Sequence, residues 1–214
     1  MAMRCTTGGK RPKIFGDPNI NTRSRRDFVN KPLVVNFFAG PGAGKTTLAA
    51  SVFSELKWCD INCEFATEFA KDLTWEERFN ALENQFYVFG KQFHRINRLI
   101  DKVDVIITDS PLLLSIVYKP EWINDCFDKV VLDTFSRFNN LNFFVDRVKQ
   151  YNQEGRIQTE EEARKIDNAI ETLLLKNDIP YYAIDGERSS VDFVIAKIFG
   201  RLGKNLKNQN KGEE

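Results

Sequence analysis

Residues 32–39 read PLVVNFFA, an unbroken apolar run, and the next eight read GPGAGKTT. Apolar residues without alternation fit a strand buried on both faces, the position of a central strand in a parallel sheet. Such a strand needs helices on both sides, so this stretch already limits the chain to a layered α/β architecture. The turn limits it further. Gly40, Gly42 and Gly44 let backbone N–H groups converge on one point, and a helix opening at Lys45 adds the partial positive charge of its N-terminus. A turn of this kind between a buried strand and a helix is built to hold phosphate.

The run from Ala39 to Thr46 is a Walker A loop, with Ala39 where glycine is usual. In such a loop Lys45 reaches the β- and γ-phosphates and the Thr46 hydroxyl binds Mg²⁺. Ala43 and Thr47 belong to the same cradle. ATP and Mg²⁺ are the expected cofactors. Further buried strands are expected at 62–67, 103–109, 141–146 and 179–185, alternating with helical segments. The expected fold is therefore α/β, a doubly wound five-stranded parallel sheet. Thr74 and Glu77 read as a capping box opening a long helix from Trp75 to Leu99, broken near Gly90. Residues 120–138 read as a helix with Pro120 at its start. Thr159 and Glu162 read as a second capping box, opening a helix to about Lys176.

Charge divides the chain. Residues 1–32 hold eight basic and two acidic side chains, and the last fourteen residues hold four basic and two acidic ones, so the middle is acidic. The expected organisation is a basic irregular arm over 1–32, a nucleotide-binding domain over 33–202 and a polar tail over 203–214. An acidic body with basic ends does not suit a dedicated duplex-DNA binder, although the arm gives nucleic acid a route to the molecule. The cysteines Cys5, Cys59, Cys63 and Cys126 read as reduced thiols, because the single histidine, His94, leaves no zinc ligand set. No apolar run approaches a membrane span and no signal-peptide core is visible, so a cytoplasmic location is expected.

The next question is what attacks the γ-phosphate. In ATP-driven motors a strand often ends in Asp-Glu, and the Glu positions water. Here the strand ends in IITDSP: Asp109 can serve Mg²⁺, but Ser110 follows it and supplies no base. Arg147, Lys149, Arg156 and Arg164 cluster over 147–164, the pattern of a cationic lid that would exclude water and stabilise a transferring phosphoryl group.

These motifs, in this order, resemble the P-loop kinases of nucleosides and nucleotides over roughly residues 33–186. The branch most similar holds the ribosylnicotinamide kinase domain of a bifunctional NAD-biosynthesis regulator, together with phage proteins labelled ATPase or kinase. TEFAKDL (67–73) is similar to that branch's Glu-Tyr-Ala-Arg segment, with Phe69 for Tyr and Lys71 for Arg. ENQFYVFGKQ (83–92) resembles its acceptor-site helix, VIITDSPLL its strand-three aspartate segment, and DRVKQYNQEGR with PYYAIDG its lid and last strand. The resemblance implies that Glu68 binds the acceptor hydroxyl and acts as general base. It implies that Lys71 and Gln85 contact the acceptor, that Arg147 and Arg156 contact phosphates from the lid, and that Asp185 and Gly186 border adenine. Lys71 offers a point charge where the family's arginine offers a bidentate fork. Phe86, Tyr87 and Phe89 are candidates to stack an acceptor ring, although at helical spacing aromatics more often belong to a core.

The expected function is ATP- and Mg²⁺-dependent transfer of the γ-phosphoryl group to a nucleoside- or nucleotide-like acceptor. Two alternatives stand beside it: a kinase acting on DNA, at a 5′ end or a hydroxylated base, and a nucleotide-binding regulatory ATPase with no acceptor. The Phe-rich helices leave a homodimer open, and the phage-like character would place the protein in a host cytoplasm.

Overall fold

The structure is a computed structural model that describes residues 31–148 and 159–203 and the backbone of residues 13–15. Most of the N-terminal arm, the C-terminal tail, Cys5, Lys149 and Arg156 lie outside the described residues.

Five parallel strands form the sheet, as the sequence predicts. They are β2 (Leu33–Phe38), β3 (Cys63–Ala66), β4 (Val105–Thr108), β5 (Asn139–Asp146) and β6 (Tyr181–Asp185). The order is β3-β4-β2-β5-β6, and a short β1 (Lys13–Phe15) adds antiparallel to β6 at the outer edge. This edge strand falls inside the segment read as irregular. Three residues are too few to carry a periodic signal, and β1 exists through its pairing with β6. β2 lies at the centre, with β4 on one side and β5 on the other. The chain therefore reverses its winding direction around β2, and the loop leaving β2 sits at the crevice where ligands of such sheets bind.

Alternate residues of β2 feed two cores. Leu33, Val35 and Phe37 meet α1 (Lys45–Trp58) and α8 (Val191–Leu202) on one face. Val34 and Phe38 meet α5 (Leu114–Val117), α6 (Asp125–Ser136) and α7 (Glu160–Lys176) on the other, with Ile96 of α4 (Gln85–Asn97). Asn36 points into the second face among apolar neighbours. It is satisfied there: its Nδ2 donates to Asn140 Oδ1 at 2.9 Å and to Asn142 Oδ1 at 3.0 Å. A buried amide without such partners would cost about 1–3 kcal/mol. No helix among the described residues is long and apolar enough to cross a membrane.

The capping box at Thr159 and Glu162 forms as expected and starts α7 at Glu160. The other one does not. Thr74 lies inside α2 (Phe69–Trp75), and its hydroxyl donates to the Ala70 carbonyl at 3.1 Å. Glu77, with φ of 55°, closes α2 in a left-handed conformation. The expected helix from Trp75 to Leu99 is thus three pieces: the end of α2, α3 (Phe79–Glu83) and α4. The break falls at Asn84, whose Oδ1 caps α4 by accepting from the Tyr87 amide at 3.2 Å. Likewise α6 starts at Asp125 rather than at Pro120, because Asn124 is its cap and accepts from the Cys126 amide at 3.0 Å.

Gly90 lies within α4 and does not interrupt it, and a Cβ there would meet nothing within 4 Å. Glycine in a helix interior loses about 0.5–1 kcal/mol relative to alanine. Gly90→Ala is therefore expected to stabilise the fold by about that amount, read as a raised midpoint in urea with an unchanged slope. A lower midpoint would contradict the open surface at this position.

Candidate functional site

The loop from β2 to α1 stands at the sheet's C-terminal edge. Gly44 takes φ of 98° and serves as the N-cap of α1 without a side-chain bond, so the first amides of α1 stay open for a ligand. Two neighbours press on the loop. A Cβ at Gly40 would lie 2.6 Å from the Ala163 carbonyl oxygen of α7, and one at Gly186 would lie 2.2 Å from the Ala43 carbonyl oxygen. Glycine at both positions is thus required by close approach. The turn of Asp185 and Gly186 after β6 is fixed against the loop, and the Gly186 amide donates to the Asp146 carbonyl at 3.0 Å.

Lys45 Nζ donates to the Gly40 carbonyl at 2.9 Å. The Gly40 amide donates to Asp167 Oδ1 at 2.5 Å, so α7 holds one face of this residue and Lys45 the other. Asp167 Oδ2 also accepts from Arg147, at 2.9 Å from Nη2 and 3.3 Å from Nε. The Arg147 side chain is only 4% exposed, at the end of β5. Burial pushes the Lys45 amine below its usual range, and the carboxylates of Glu68, Asp109 and Asp167 oppose that shift. Thr46 donates its hydroxyl to Asp109 Oδ2 at 2.5 Å. Asp109 is buried, and its other oxygen, Oδ1, has no hydrogen-bond partner. A hydroxyl and a carboxylate side by side are hard oxygen donors of the kind Mg²⁺ takes, and an orphaned buried carboxylate oxygen suits a cation. The residues fit the metal. Among the described residues no group of three His, Cys, Asp or Glu side chains comes together to form an all-protein cage.

Glu68 occupies the N-cap position of α2, yet its side chain makes no cap bond. The first amide of α2, that of Phe69, donates instead to Gln92 Oε1 at 3.0 Å. An outside partner does the capping, which leaves the Glu68 carboxylate to face the cavity. Burial raises its pKa above the usual carboxylate range, Lys45 pulls it back, and Asp109 adds to the rise. Arg95 fastens the same turn, donating from Nη1 to both the carbonyl and the hydroxyl oxygen of Thr67 at 3.0 Å and pairing with Asp72.

A single cavity of about 660 Å³ joins these parts. Gly42, Gly44, Lys45, Thr46 and Thr47 line it at the glycine loop, and Glu68, Lys71 and Gln85 line it beyond the loop. Gln85 is 4% exposed and its Nε2 donates to the Leu82 carbonyl at 3.2 Å. Trp75, Leu82, Val88 and Tyr118 complete the far end. The three aromatic candidates of α4 do not line the cavity. Phe86 packs on Trp122 and Phe127, Tyr87 on Phe69, and Phe89 on Phe93 and Phe127. His94 is exposed on α4. Cys63 and Cys126 are free thiols, and burial pushes the Cys63 thiol up to about 11.

Gln92, Arg95 and Asp167 are absent from the sequence expectations. Gln92 left a trace, as a polar residue between Val88 and Ile96 on the buried stripe of α4. Asp167 left none, because its partners lie 127 and 20 positions away.

The loop, the sheet order and the paired Thr46 and Asp109 define a P-loop protein with an α/β fold. The chain belongs to the AAA domain family, whose model matches residues 34–190. No curated protein sequence matches it. Among solved structures it is similar to a NadR protein in complex with NAD and AMP-PNP, at 15% identity and a TM-score of 0.63, over 84% of this chain and 52% of that one. The chain spans about half the length of that NadR protein. It is also similar to deoxyadenosine kinase from M. mycoides with bound dATP, at 16% identity and a TM-score of 0.54, over 80% of this chain and 100% of that one. At such identities the likeness is one of fold.

Proposed function

We propose that the protein transfers the γ-phosphoryl group of ATP to a hydroxyl of a nucleoside-like small molecule. The observation that carries this reading is the continuous cavity, which extends from the phosphate loop past Glu68 to an end lined by Trp75, Leu82 and Gln85. Nucleotide phosphates need only the loop. A second compartment with an aromatic face, a buried amide and a carboxylate suits an acceptor. The compounds held by the similar structures, NAD with AMP-PNP in one and dATP in another, are in keeping with such a site.

In this reading the acceptor oxygen gives its proton to Glu68 as it bonds to the γ-phosphorus. The bond from that phosphorus to the β–γ bridging oxygen breaks, and ADP leaves. Lys45 neutralises the β- and γ-phosphates. Thr46 and Asp109 would hold Mg²⁺, which supplies further charge neutralisation when bound. Arg147, pinned through Asp167 against Gly40, and Arg156 are assigned to the phosphates. Asp185 and Gly186 are assigned to the border of the adenine. Beyond the loop the described residues of the cavity present one cation, Lys71, against the carboxylates of Glu68 and Glu83. That balance favours an acceptor without a phosphate of its own.

ADP release from Mg·ATP, measured against nucleosides, nucleoside monophosphates, nicotinamide riboside, single-stranded DNA and hydroxymethylated DNA, tests the reading. Stimulation by a nucleoside above that by its monophosphate is the expected result. Stimulation by DNA alone would replace it with the DNA kinase. A basal rate that no acceptor changes would replace it with a regulatory ATPase.

A further inference from the structure

One buried amide touches both turns that carry the reactive carboxylates. Gln92 is 3% exposed, on the stripe of α4 that otherwise holds Val88 and Ile96. Its Oε1 accepts from the Phe69 amide at 3.0 Å and its Nε2 lies 3.4 Å from Thr108 Oγ1. Phe69 directly follows Glu68, and Thr108 directly precedes Asp109. Thr108 is itself fully buried, and its Oγ1 also accepts from the Ser110 amide at 3.1 Å. Chain positions 69 and 108 have no other hydrogen-bonded bridge of this kind among the described residues; β3 and β4 pair from Cys63 and Val105 as far as Ala66 and Thr108, before the turns begin.

We propose that Gln92 is a positioning residue that sets the separation between the Glu68 turn and the Asp109 turn. Its catalytic consequence rests on the phosphotransfer reading above. The argument is geometric. Glu68 is an N-cap residue whose own side chain does not cap, so nothing local fixes the first turn of α2. The Gln92 carbonyl takes that task. The NH₂ group of the same amide reaches the strand end that carries Asp109. A planar amide fixes the two contacts relative to each other, and α4 fixes the amide. Arg95, one turn further along α4, holds Thr67 and Asp72, and its hydrogen bonds among the described residues do not reach Thr108 or Asp109. Gln92 is therefore the residue that joins the two turns, whereas Arg95 secures one. Misplacement of a reacting group by about 1 Å costs up to roughly 10²-fold in rate.

The test compares the full-length protein with Gln92→Met, which keeps length and apolar packing but removes both contacts, and Thr108→Val, which keeps the Phe69 contact and removes the second together with the acceptor of the Ser110 amide. The readouts are amide hydrogen exchange by NMR and steady-state kinetics with the best acceptor from the panel. In Gln92→Met the Phe69 amide is expected to exchange at least about tenfold faster while the β2 amide of Val35 keeps its protection. With it, kcat falls about 10- to 100-fold and KM for ATP stays within about twofold. Thr108→Val is expected to keep Phe69 protected and to lose a smaller part of kcat. The proposal is overturned if Gln92→Met leaves Phe69 protected, or if Phe69 is freed and kcat does not move. It is also overturned if protection falls at Val35 as well, since Gln92 would then be holding the fold rather than the turns. Should the wild type show no acceptor-stimulated transfer, the phosphotransfer reading fails by itself. The exchange rates of Phe69 and of the Ser110 amide then still decide whether Gln92 holds both turns.

Discussion

Lys45→Met is expected to lower ATP turnover by roughly 10²–10³-fold, the cost of removing one preorganised charge from a phosphoryl-transfer site. The reason lies in what surrounds the amine. Glu68, Asp109 and Asp167 all act on Lys45 with opposite charge, so the ammonium balances a cluster of carboxylates as well as the phosphates it would meet. Methionine retains the apolar stem and its packing at the start of α1, but removes the positive charge set against Glu68, Asp109 and Asp167. Nucleotide affinity should therefore fall together with turnover, measured by calorimetry with Mg·ATP and by ADP release. The cores on either side of β2 contain neither Lys45 nor its partners, so the urea midpoint should stay close to that of the wild type. Turnover within about threefold of wild type would remove Lys45 from the phosphate site and with it the basis of the nucleotide reading.

The strand, glycine loop and helix that begin the site were legible in the sequence because everything they need is contiguous. A buried strand, three glycines, a lysine and a threonine occupy residues 33–47, and local backbone geometry does the rest. The α7 capping box was legible for the same reason, since Thr159 and Glu162 satisfy each other within one turn. The region from Phe69 to Asn97 was harder. Thr74 and Glu77 have the right spacing for a cap, yet the helix had already begun at Phe69, and the amide that needed capping was served by Gln92, 23 positions away. The break at Asn84 was hidden behind Gly90, which is a better helix breaker in isolation but sits on an open surface that imposes no bend. The contacts of Asp167 with Gly40 and Arg147 are set by how α7 lies on the sheet, and no pattern along the chain encodes that.

Glu68→Gln is expected to reduce acceptor-dependent transfer by roughly 10²–10⁴-fold, the usual worth of a positioned general base. The pH dependence distinguishes the base from a packing residue. Glu68 must be ionised to accept the acceptor's proton, and burial and Asp109 raise its folded pKa above the usual carboxylate range. Wild-type kcat should therefore fall as pH drops through that raised value, at a higher pH than an exposed glutamate would give. Glu68→Gln should lose this acid limb. Glu68→Asp should keep it at a lower rate, because the carboxylate remains but is withdrawn by one methylene. Stability moves the other way. The native state binds the Glu68 proton more tightly than the unfolded chain does, so Glu68 costs stability as pH rises from the ordinary carboxylate range through the folded value. At neutral pH the amide variant should thus melt at or above the wild-type temperature while transferring almost nothing. A variant that lost transfer and stability together would make Glu68 a structural carboxylate. One that kept the acid limb would assign the base to another group.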